Sequence, residues 1–293
     1  MADIVTIAHF SDLHLGPIPR PKPWQLLNKR IFGFVNWHRR RRSDEGMDRL
    51  EALVRDAATM VPDVTVLTGD FVNIALPQEF AQARHWLDAR FDPAHTMAVL
   101  GNHDAYVPGA INAARTTFAD YLRGDNGGPL PVRRIGGAAL VGVNSAVARP
   151  PHLSSGRVGQ QERDALLHTL ERLGDTFKIV LIHYPPDQDL ARGRRGLDDC
   201  EEVREVLAAG NANLVLHGHN HRPSARTLTT RDGEALMVGV ESGSSDGSHY
   251  PPAAYNIYRI NTGDGAVTME KRTAIAANTI SNETFNFAPL NTA

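Results

Sequence analysis

Short apolar runs and longer amphipathic stretches alternate over the first two thirds of the chain. Residues 4–10 form a short run rich in β-branched side chains, which predicts a buried strand. Residues 44–60 place Met47, Leu50 and Leu53 at helical spacing, which predicts a helix. Further strands are predicted at 64–68, 96–100, 138–143, 177–182 and 214–216, and further helices at 78–90, 110–122, 160–173 and 200–209. This alternation is typical of βα units that feed a mainly parallel sheet.

The pattern changes after Pro223, where strand-like segments follow one another without intervening helices. Turn sequences such as Asp232-Gly233 separate them. The predicted strands cover residues 226–230, 234–240, 253–260 and 266–271. We expect them to form a second sheet that packs against the first. The polar residues at 281–293 predict a poorly ordered end, so we expect one domain over residues 1–275 and a C-terminal tail over residues 276–293.

The composition of the 293 residues, with 42% hydrophobic and 22% charged residues, is that of a soluble globular protein. It excludes the collagen-like, disordered and disulfide-scaffold classes. No apolar run approaches the roughly 18–20 residues of a membrane-spanning helix, and the first residues lack the basic and apolar segments of a signal peptide. The single cysteine, Cys200, cannot form an intrachain disulfide. We therefore expect a cytoplasmic protein.

The net charge of −2 hides an uneven distribution along the chain. Residues 13–43 contain eight basic side chains and no acidic one, so the rest of the chain carries a charge of −10. The basic residues are Arg20, Lys22, Lys29, Arg30, Arg39, Arg40, Arg41 and Arg42. A basic segment on an acidic body indicates an anionic partner for that segment.

Polar residues follow five of the predicted strands. The motifs are Ser11-Asp12-Leu13-His14, Gly69-Asp70, Gly101-Asn102-His103-Asp104, a lone His183 and Gly218-His219-Asn220-His221. Ligands of open α/β sheets bind outside the carboxyl ends of the strands, so we expect these side chains to meet at one edge. Because alternate residues of an extended segment point the same way, Asp12 and His14 are expected to reach one point, as are His219 and His221.

The side chains in these motifs are carboxylates, an amide and imidazoles, without a thiolate. This donor set suits divalent manganese, iron or zinc and does not suit a structural cysteine–zinc site. The seven candidate ligands exceed what one ion needs, and one carboxylate can bridge two ions. They are Asp12, His14, Asp70, Asn102, His183, His219 and His221. The sequence therefore predicts a site for two divalent transition-metal ions.

In this order the motifs resemble those of the calcineurin-like metallophosphoesterase superfamily, over residues 12–221 or about 70% of the chain. The resemblance implies an α/β fold, a four-layer α/β/β/α sandwich of two mixed β-sheets flanked by helices. It assigns to the first metal ion the ligands Asp12, His14 and His221. It assigns to the second ion the ligands Asn102, His183 and His219, and it makes Asp70 the bridge.

The resemblance also implies an enzyme that hydrolyses a phosphodiester or pyrophosphate bond by a hydroxide bridging the two ions. His103 is expected beside the substrate phosphate, where it donates a hydrogen bond or a proton to the leaving oxygen. Asp104 is expected to set the orientation of the His103 ring. A non-catalytic binding scaffold is the minor alternative, and it is disfavoured because no motif residue is missing.

Two substrate classes remain open at this point. The opening segment His9–Gly16 resembles the bacterial cyclic-nucleotide and glycerophosphodiester phosphodiesterase branch, which implies a soluble phosphodiesterase. Residues 17–43, however, form a basic insertion where a short connection is expected. The insertion is similar to that of metallophosphoesterases that cleave the pyrophosphate of UDP-2,3-diacylglucosamine. This second similarity implies a lipid-linked substrate at the membrane surface.

The insertion itself predicts an amphipathic helix over residues 23–37. Its apolar face carries Trp24, Leu27, Ile31, Phe32, Phe34 and Val35, and its polar face leaves Lys29, Arg30 and residues 39–42 to solvent or anions. Such a helix is typical of a membrane surface, so we expect residues 20–42 to contact anionic lipid and the protein to be peripheral on the inner membrane. A lid packed on the protein body is the equal alternative. Nucleic acid is disfavoured, because no further basic surface with interleaved aromatic residues occurs.

Overall fold

The computed structural model describes residues 4–40, 45–125 and 127–290. Its strands are β1 (Ile4–Phe10), β2 (Val64–Leu67), β3 (Thr96–Ala98), β4 (Val132–Ile135), β5 (Ala138–Gly142), β6 (Phe177–Leu181), β7 (Leu214–His217), β8 (Ser224–Thr230), β9 (Gly233–Gly239), β10 (Ala254–Asn261), β11 (Val267–Ala276) and β12 (Thr279–Phe287). Its α-helices are α1 (Arg30–Arg40), α2 (Glu45–Thr59), α3 (Pro77–Asp88), α4 (Ala110–Thr117), α5 (Ala119–Leu122), α6 (Gln160–Arg172) and α7 (Cys200–Ala209).

The strands form two six-stranded mixed sheets. The first has the order β12-β11-β10-β1-β2-β3, with β1, β2 and β3 parallel and β10 antiparallel to β1. The second has the order β4-β5-β6-β7-β9-β8, with β5, β6, β7 and β9 parallel. Because β1, β2 and β3 are parallel in the first sheet, and β5, β6, β7 and β9 in the second, the loops that follow them leave from one edge of each sheet.

The apolar core lies in three layers between and outside the sheets. Side chains such as Ile7 of the first sheet and Ile179 of the second pack together between the sheets. Leu50 of α2 packs with the outer face of the first sheet, and Leu166 of α6 packs with the outer face of the second. The central strands are thus covered on both faces, which explains why they appear in the sequence as continuous apolar runs. The predicted four-layer sandwich of two mixed sheets is confirmed.

The predicted division of the strands between the sheets is wrong. Strands β5, β6 and β7 do not extend the sheet of β1, β2 and β3, and the late strands β10 and β11 complete that first sheet instead. Ile4 pairs with Asn261 across more than 250 residues of chain. Apolar periodicity identifies a buried strand, but the identity of its neighbour depends on contacts between distant segments.

The poorly ordered tail predicted at 281–293 is also wrong over most of its length. Thr279–Phe287 is β12, which pairs with β11 along its length, so the first sheet continues past residue 275. Most of its residues are exposed because β12 is an edge strand, and its polar composition therefore resembles that of a tail. Residues 291–293 of the predicted tail lie outside the described residues. The strand β4 (Val132–Ile135) has no counterpart in the sequence prediction.

The basic insertion is not a single helix. Pro23–Leu26 is a short 3-10 helix, a turn follows, and α1 begins only at Arg30. Arg30 donates to the carbonyl oxygens of Ile74 and Ala75 at 3.0 and 2.7 Å, which ties α1 to the protein body. Gly33 permits this close approach, because a Cβ atom there would lie 2.5 Å from the Tyr106 hydroxyl.

The opposite side of the insertion is apolar and exposed. Phe34 and Trp37 pack against the core, so Phe34 does not belong to the exposed face as the helix pattern suggested. The side chains of the insertion surface, as we call this exposed set, are Trp24, Leu27, Ile31, Phe32 and Val35, with exposed fractions from 38% for Ile31 to 84% for Leu27. Arg41, Arg42 and Ser43 of the insertion lie outside the described residues.

Candidate metal centre

The motif residues that follow β1, β2, β3, β6 and β7 come together at one end of the sandwich, as the strand-end pattern predicts. Polar atoms of neighbouring members lie between 2.7 and 3.9 Å apart. All the side chains are buried except that of His103, which is half-buried. The residues are Asp12, His14, Asp70, Asn102, His103, Asp104, His183, His219 and His221.

Asp12, His14 and His221 form the first group of donor atoms. Nε2 of His221 lies 3.1 Å from Oδ1 of Asp12 and 3.2 Å from Nε2 of His14. Although His221 is this close, Oδ1 of Asp12 is buried and accepts no hydrogen bond. A carboxylate oxygen and two imidazole nitrogens that converge on one point in this way fit a divalent cation.

Asn102, His183 and His219 form the second group. Oδ1 of Asn102 lies 3.2 Å from Nε2 of His183 and 2.9 Å from Nδ1 of His219. Asp70 stands between the two groups, with Oδ2 3.7 Å from Nε2 of His14 and 3.6 Å from Nε2 of His183. One carboxylate oxygen within reach of both groups has the geometry of a bridging ligand.

Backbone carbonyl groups set the orientation of two of these rings. Nδ1 of His183 lies 2.7 Å from the carbonyl oxygen of Thr68, and Nε2 of His219 lies 2.8 Å from that of Arg195. Each ring donates its single N–H to the carbonyl, which turns the lone pair of the other nitrogen into the site. Nothing in the sequence signals Thr68 or Arg195, because the group that acts is a main-chain oxygen.

The protonation states suit metal ligands. Burial alone raises the pKa of Asp12, but His221, His183 and His14 together hold it well below its ordinary value. Burial lowers the pKa of His219 well below its ordinary value, and His183 lowers it further. A charged carboxylate and a neutral imidazole are the forms that bind metal ions at neutral pH.

Backbone strain is concentrated in the same residues. Nine non-glycine residues of the described chain have a positive φ, and five of them are candidate ligands. Those five are Asp12, His14, Asp70, His219 and His221, with φ between 42° and 70°. Such conformations cost of order 1 kcal/mol each and persist where the surroundings enforce them, commonly at functional sites. Asp12 and His14 do approach each other, at 3.9 Å, but through left-handed turns and not through alternation along an extended strand, while His219 and His221 lie in different donor groups.

Two glycines bring the motif loops into contact. A Cβ atom on Gly101 would lie 2.2 Å from Oδ1 of Asp70, and one on Gly218 would lie 2.5 Å from Oδ2 of Asp12. Contacts this short do not occur between real atoms, so both positions exclude any side chain. The glycines of the motifs therefore let the backbone of one loop touch the carboxylate of another.

Asp104 does not orient His103, contrary to the expectation from the family resemblance. Its carboxylate accepts the backbone N–H groups of Asp70, Phe71, Val72 and Gly101 at 2.9 to 3.3 Å. Nδ1 of His103 is paired with the carbonyl oxygen of Asn73 at 2.5 Å. Asp104 thus fixes the loop that carries Asp70. Its own burial, together with the charge of Asp70, raises its pKa to about 7, while the N–H groups act in the opposite direction.

Two cavities lie beside the centre: Asn102 and His103 line the first, and Asn220, between His219 and His221, lines the second. The roof cavity, of about 350 Å³, lies beneath the insertion and is lined by Phe32, Trp37, Asn102, His103 and Tyr106 among others. The arginine cavity, of about 590 Å³, is lined by Arg192, Arg195, Arg222, His249 and Tyr250 among others. Arg195 lines both cavities. The centre therefore has room for a substrate with two substituents, one beside the aromatic side chains of the roof cavity and one beside the arginines of the other cavity.

Comparison with known proteins gives a family match. The family model for calcineurin-like phosphoesterases matches residues 5–223, which include every motif residue. A probable cyclic nucleotide phosphodiesterase of Synechococcus sp. is 28% identical over 180 residues, or 58% of this chain and 62% of that protein. The aligned region thus spans less than two thirds of that relative.

A solved structure agrees in fold. The purple acid phosphatase from yellow lupin (Lupinus luteus) seeds superimposes with a TM-score of 0.63 over 98% of this chain and 54% of that chain. The identity is 12%, so the likeness concerns the fold, two mixed sheets flanked by helices.

Proposed function

Because the chain belongs to the calcineurin-like phosphoesterase family, we propose that it is a metal-dependent hydrolase that cleaves a phosphodiester or pyrophosphate bond. The observation that carries the proposal is the position of Asp70 between two groups of buried donor atoms. Two divalent ions, of manganese, iron or zinc by donor type, supply Lewis acidity and lower the pKa of water when bound there. The ligands in this proposal are Asp12, His14 and His221 for one ion, Asn102, His183 and His219 for the other, and Asp70 for both.

His103 is proposed as the catalytic group that serves the leaving oxygen. It is half-buried and lines the roof cavity, where a substituent of the phosphoryl group has room. With Nδ1–H held by the Asn73 carbonyl, the imidazolium form donates from Nε2. Proton donation of this kind contributes about 10²–10⁴-fold to a rate. Asp104 is proposed as a positioning residue for the loop of Asp70.

The proposed substrate is linked to a lipid and is met at an anionic membrane surface. Phe32 supports this, because it lines the roof cavity and is also part of the insertion surface, with 53% of the residue exposed. The Phe32 side chain thus connects the cavity beside His103 with the exposed apolar surface of the insertion. None of the helices in the described residues is long and apolar enough to cross a bilayer.

A cyclic-nucleotide phosphodiesterase is the second candidate. The Synechococcus relative is named as a probable enzyme of this kind. The roof cavity also supports it, since the rings of Trp37 and Tyr106 line a space beside His103 in which a base has aromatic neighbours. In this case α1 serves as a fixed lid, held on the body by Arg30.

The test is a substrate panel on the full chain loaded in turn with manganese, iron and zinc. The panel contains bis(p-nitrophenyl) phosphate, 3′,5′-cyclic AMP, glycerophosphodiesters and UDP-2,3-diacylglucosamine in mixed micelles. We expect hydrolysis of the first compound, its loss on chelation, and the highest kcat/KM for the lipid-linked compound. A preference for cyclic AMP supports the second candidate. Absence of turnover on every ester with metal bound contradicts the hydrolase proposal and favours a binding scaffold.

A further inference from the structure

We propose that the arginine cavity binds a second phosphoryl group of the substrate, so that the bond cleaved at the centre is a pyrophosphate linkage and not a simple phosphodiester. The inference rests on the proposed hydrolase function and deepens it, because it selects one of the two bond types left open above. It is carried by the charge of the cavity, by the position of the cavity beside the candidate ligands, and by the contrast with the roof cavity.

The arginine cavity has more positive than negative charge on its walls. Three arginines line it, and the acidic residue Asp189 is already engaged by Arg192. Within the described part of the chain, Arg195 and Arg222 form no salt bridge with an acidic side chain. Two guanidinium groups without an acidic partner at one cavity favour an anionic occupant, and planar guanidinium groups bind phosphoryl oxygens with paired hydrogen bonds.

Two lining residues of the cavity, Tyr250 and Arg195, contact candidate metal ligands. The ring of Tyr250 lies 4.8 Å from the ring of His221, and the guanidinium of Arg222 lies over the Tyr250 ring at 5.8 Å. On the other side, the carbonyl oxygen of Arg195 holds Nε2 of His219. Arg222 thus contacts a candidate ligand of one ion, His221, through Tyr250, and the main chain of Arg195 contacts a candidate ligand of the other ion, His219. A group bound by them is close to the phosphoryl group at the metals.

The roof cavity shares Arg195 with the arginine cavity, and its other basic residue is a lysine that is already engaged. Its lysine, Lys29, donates to the carbonyl oxygens of Leu153 and Arg149 at 2.8 and 3.3 Å and lies over the Tyr106 ring. This ammonium group therefore braces the insertion and is not left for solvent or anions as the sequence pattern suggested. Arg222 lines the arginine cavity and not the roof cavity, so the additional anionic group belongs on the arginine side.

A simple phosphodiester has one negative charge at the scissile phosphorus and none on neutral substituents. The two divalent ions already face that charge, so Arg195 and Arg222 have no partner in such a substrate. A pyrophosphate diester carries a second phosphoryl group bonded to the first through one oxygen. Hydrolysis then places the water oxygen on the attacked phosphorus and breaks the bond from that phosphorus to the bridging oxygen, which leaves with the second phosphoryl group as a monoester. Because Arg195 lines both cavities, the bridging oxygen is served by His103 while Arg195 and Arg222 meet the charge of that monoester.

The experiment compares two nucleotide substrates on the metal-loaded full chain. The p-nitrophenyl ester of thymidine 5′-monophosphate has one phosphoryl group, and ADP-ribose has two in a pyrophosphate linkage. Because p-nitrophenolate is an activated leaving group, the preference for ADP-ribose, defined as the ratio of the two kcat/KM values, is compared between variants, and loss of one charged hydrogen bond changes this ratio about tenfold. Arg222→Gln should reduce that preference about tenfold, and Arg222→Lys should restore part of it. Arg231→Gln, at an exposed arginine in the turn after β8 that pairs with Asp232, is the matched control and should leave the preference as in the wild type.

Calorimetry with probes that are not hydrolysed measures binding affinity independently of turnover. The wild type should bind α,β-methylene-ADP about tenfold tighter than AMP, and Arg195→Gln and Arg222→Gln should each narrow that ratio. Equal binding of the two probes by the wild type, or an equal loss on both nucleotide substrates in the Arg222 variants, overturns the inference. A wild type that hydrolyses no ester contradicts the proposed function instead, and the calorimetric ratio then still decides whether the cavity selects a second phosphoryl group.

Discussion

Nε2 of His14 and Nε2 of His221 face each other at 3.2 Å in the buried centre. Nδ1 of His14 is near the carbonyl oxygen of Val72, which uses the N–H of a neutral ring and leaves a lone pair on the facing nitrogen. A cation bound here would take the lone pairs of both facing nitrogens, in place of the N–H···N hydrogen bond that two neutral rings form at this distance. Metal binding and the stability of this end of the fold are therefore coupled, and metal should raise the melting temperature.

The first prediction concerns the bridge. Asp70→Ala should lose most of both metal ions, because Oδ2 of Asp70 lies within 3.7 Å of a ring nitrogen in each donor group. The measurement is metal content per chain by mass spectrometry after desalting. Asp175→Ala, at an exposed aspartate remote from the motifs, is the control and should keep two ions. Full retention in Asp70→Ala would falsify the bridging role.

The second prediction concerns His103. His103→Ala should keep the metals and lose about 10²-fold or more in kcat on esters with poor leaving groups, because it removes the proton donor. The loss should be smaller with p-nitrophenolate, which leaves without protonation. Kinetics on the two substrate types measure this difference. An equal loss on both would mean that His103 acts on the phosphoryl charge and not on the leaving oxygen.

The third prediction separates Asp104 from His103. Asp104→Asn should destabilise the protein by about 1–3 kcal/mol. Both carboxylate oxygens of Asp104 accept hydrogen bonds from the backbone N–H groups of Asp70, Phe71 and Gly101, whereas an amide has one oxygen that accepts and a nitrogen that donates. Metal affinity should fall with it, because the loop of Asp70 loosens. Chemical unfolding and metal titration measure the two effects. If Asp104→Asn instead shows the leaving-group dependence of His103→Ala with normal stability, Asp104 acts through the histidine after all.

The residues of the site could be predicted more completely from the sequence than the order of the strands in the two sheets. The five motifs place their donors at strand ends, and parallel strands of one sheet bring such ends to one edge of that sheet. Asp12 of the first sheet and His221 of the second meet because the two sheets pack with these edges at the same end of the sandwich, although the assignment of strands to sheets was wrong. Which strands pair depends on the total burial of distant segments, and no local pattern contains that information.

Hydrogen bonds from the histidine rings to main-chain carbonyl oxygens could not be predicted from the sequence. The carbonyl oxygens of Thr68 and Asn73 orient His183 and His103, and any residue type has such an oxygen. The contacts by which Lys29 and Arg30 hold the insertion on the protein body could not be predicted either. A charged residue occupies the same position in an amphipathic pattern whether its side chain faces solvent or a carbonyl oxygen.

The fourth prediction concerns acid sensitivity. His9 is fully buried beside Thr68, and burial, followed by the charge of His217, lowers its pKa to about 3. The folded value is below the unfolded value of about 6.5, so unfolding takes up a proton in acid and stability is lost as the pH falls below about 6.5. His9 alone should account for about 2 kcal/mol between pH 6.5 and 4.5.

Urea unfolding in a metal chelator at several pH values measures this contribution. His9→Gln should flatten the pH dependence, because the glutamine does not titrate. His168→Gln, at an exposed histidine on α6, is the matched control and should leave the curve unchanged. A slope that is the same in His9→Gln and the wild type rules out His9 as its source.

The last prediction concerns the insertion surface. The wild type should bind vesicles that contain phosphatidylglycerol, because Trp24 and Leu27 are 63% and 84% exposed and Arg39 is exposed in the same segment. Each basic residue near an anionic leaflet contributes about 1 kcal/mol, so binding is weak and reversible. Salt should release the protein, because the Debye length falls to about 3 Å at 1 M.

Co-sedimentation at low and high salt tests this with three variants. Trp24→Ser/Leu27→Ser removes apolar contacts without touching Phe34, which packs on the core, and replacement of residues 39–42 by serine removes the charge. Val61→Ser removes an apolar side chain that is 79% exposed but lies outside the insertion, so it should bind as the wild type does. Binding by the wild type that both insertion variants retain would place the contact elsewhere. No binding at all leaves α1 as a lid and removes the support for a lipid-linked substrate, which rests on the exposed apolar face of the insertion; the type of bond cleaved is then decided by the comparison of ADP-ribose with the nucleotide ester.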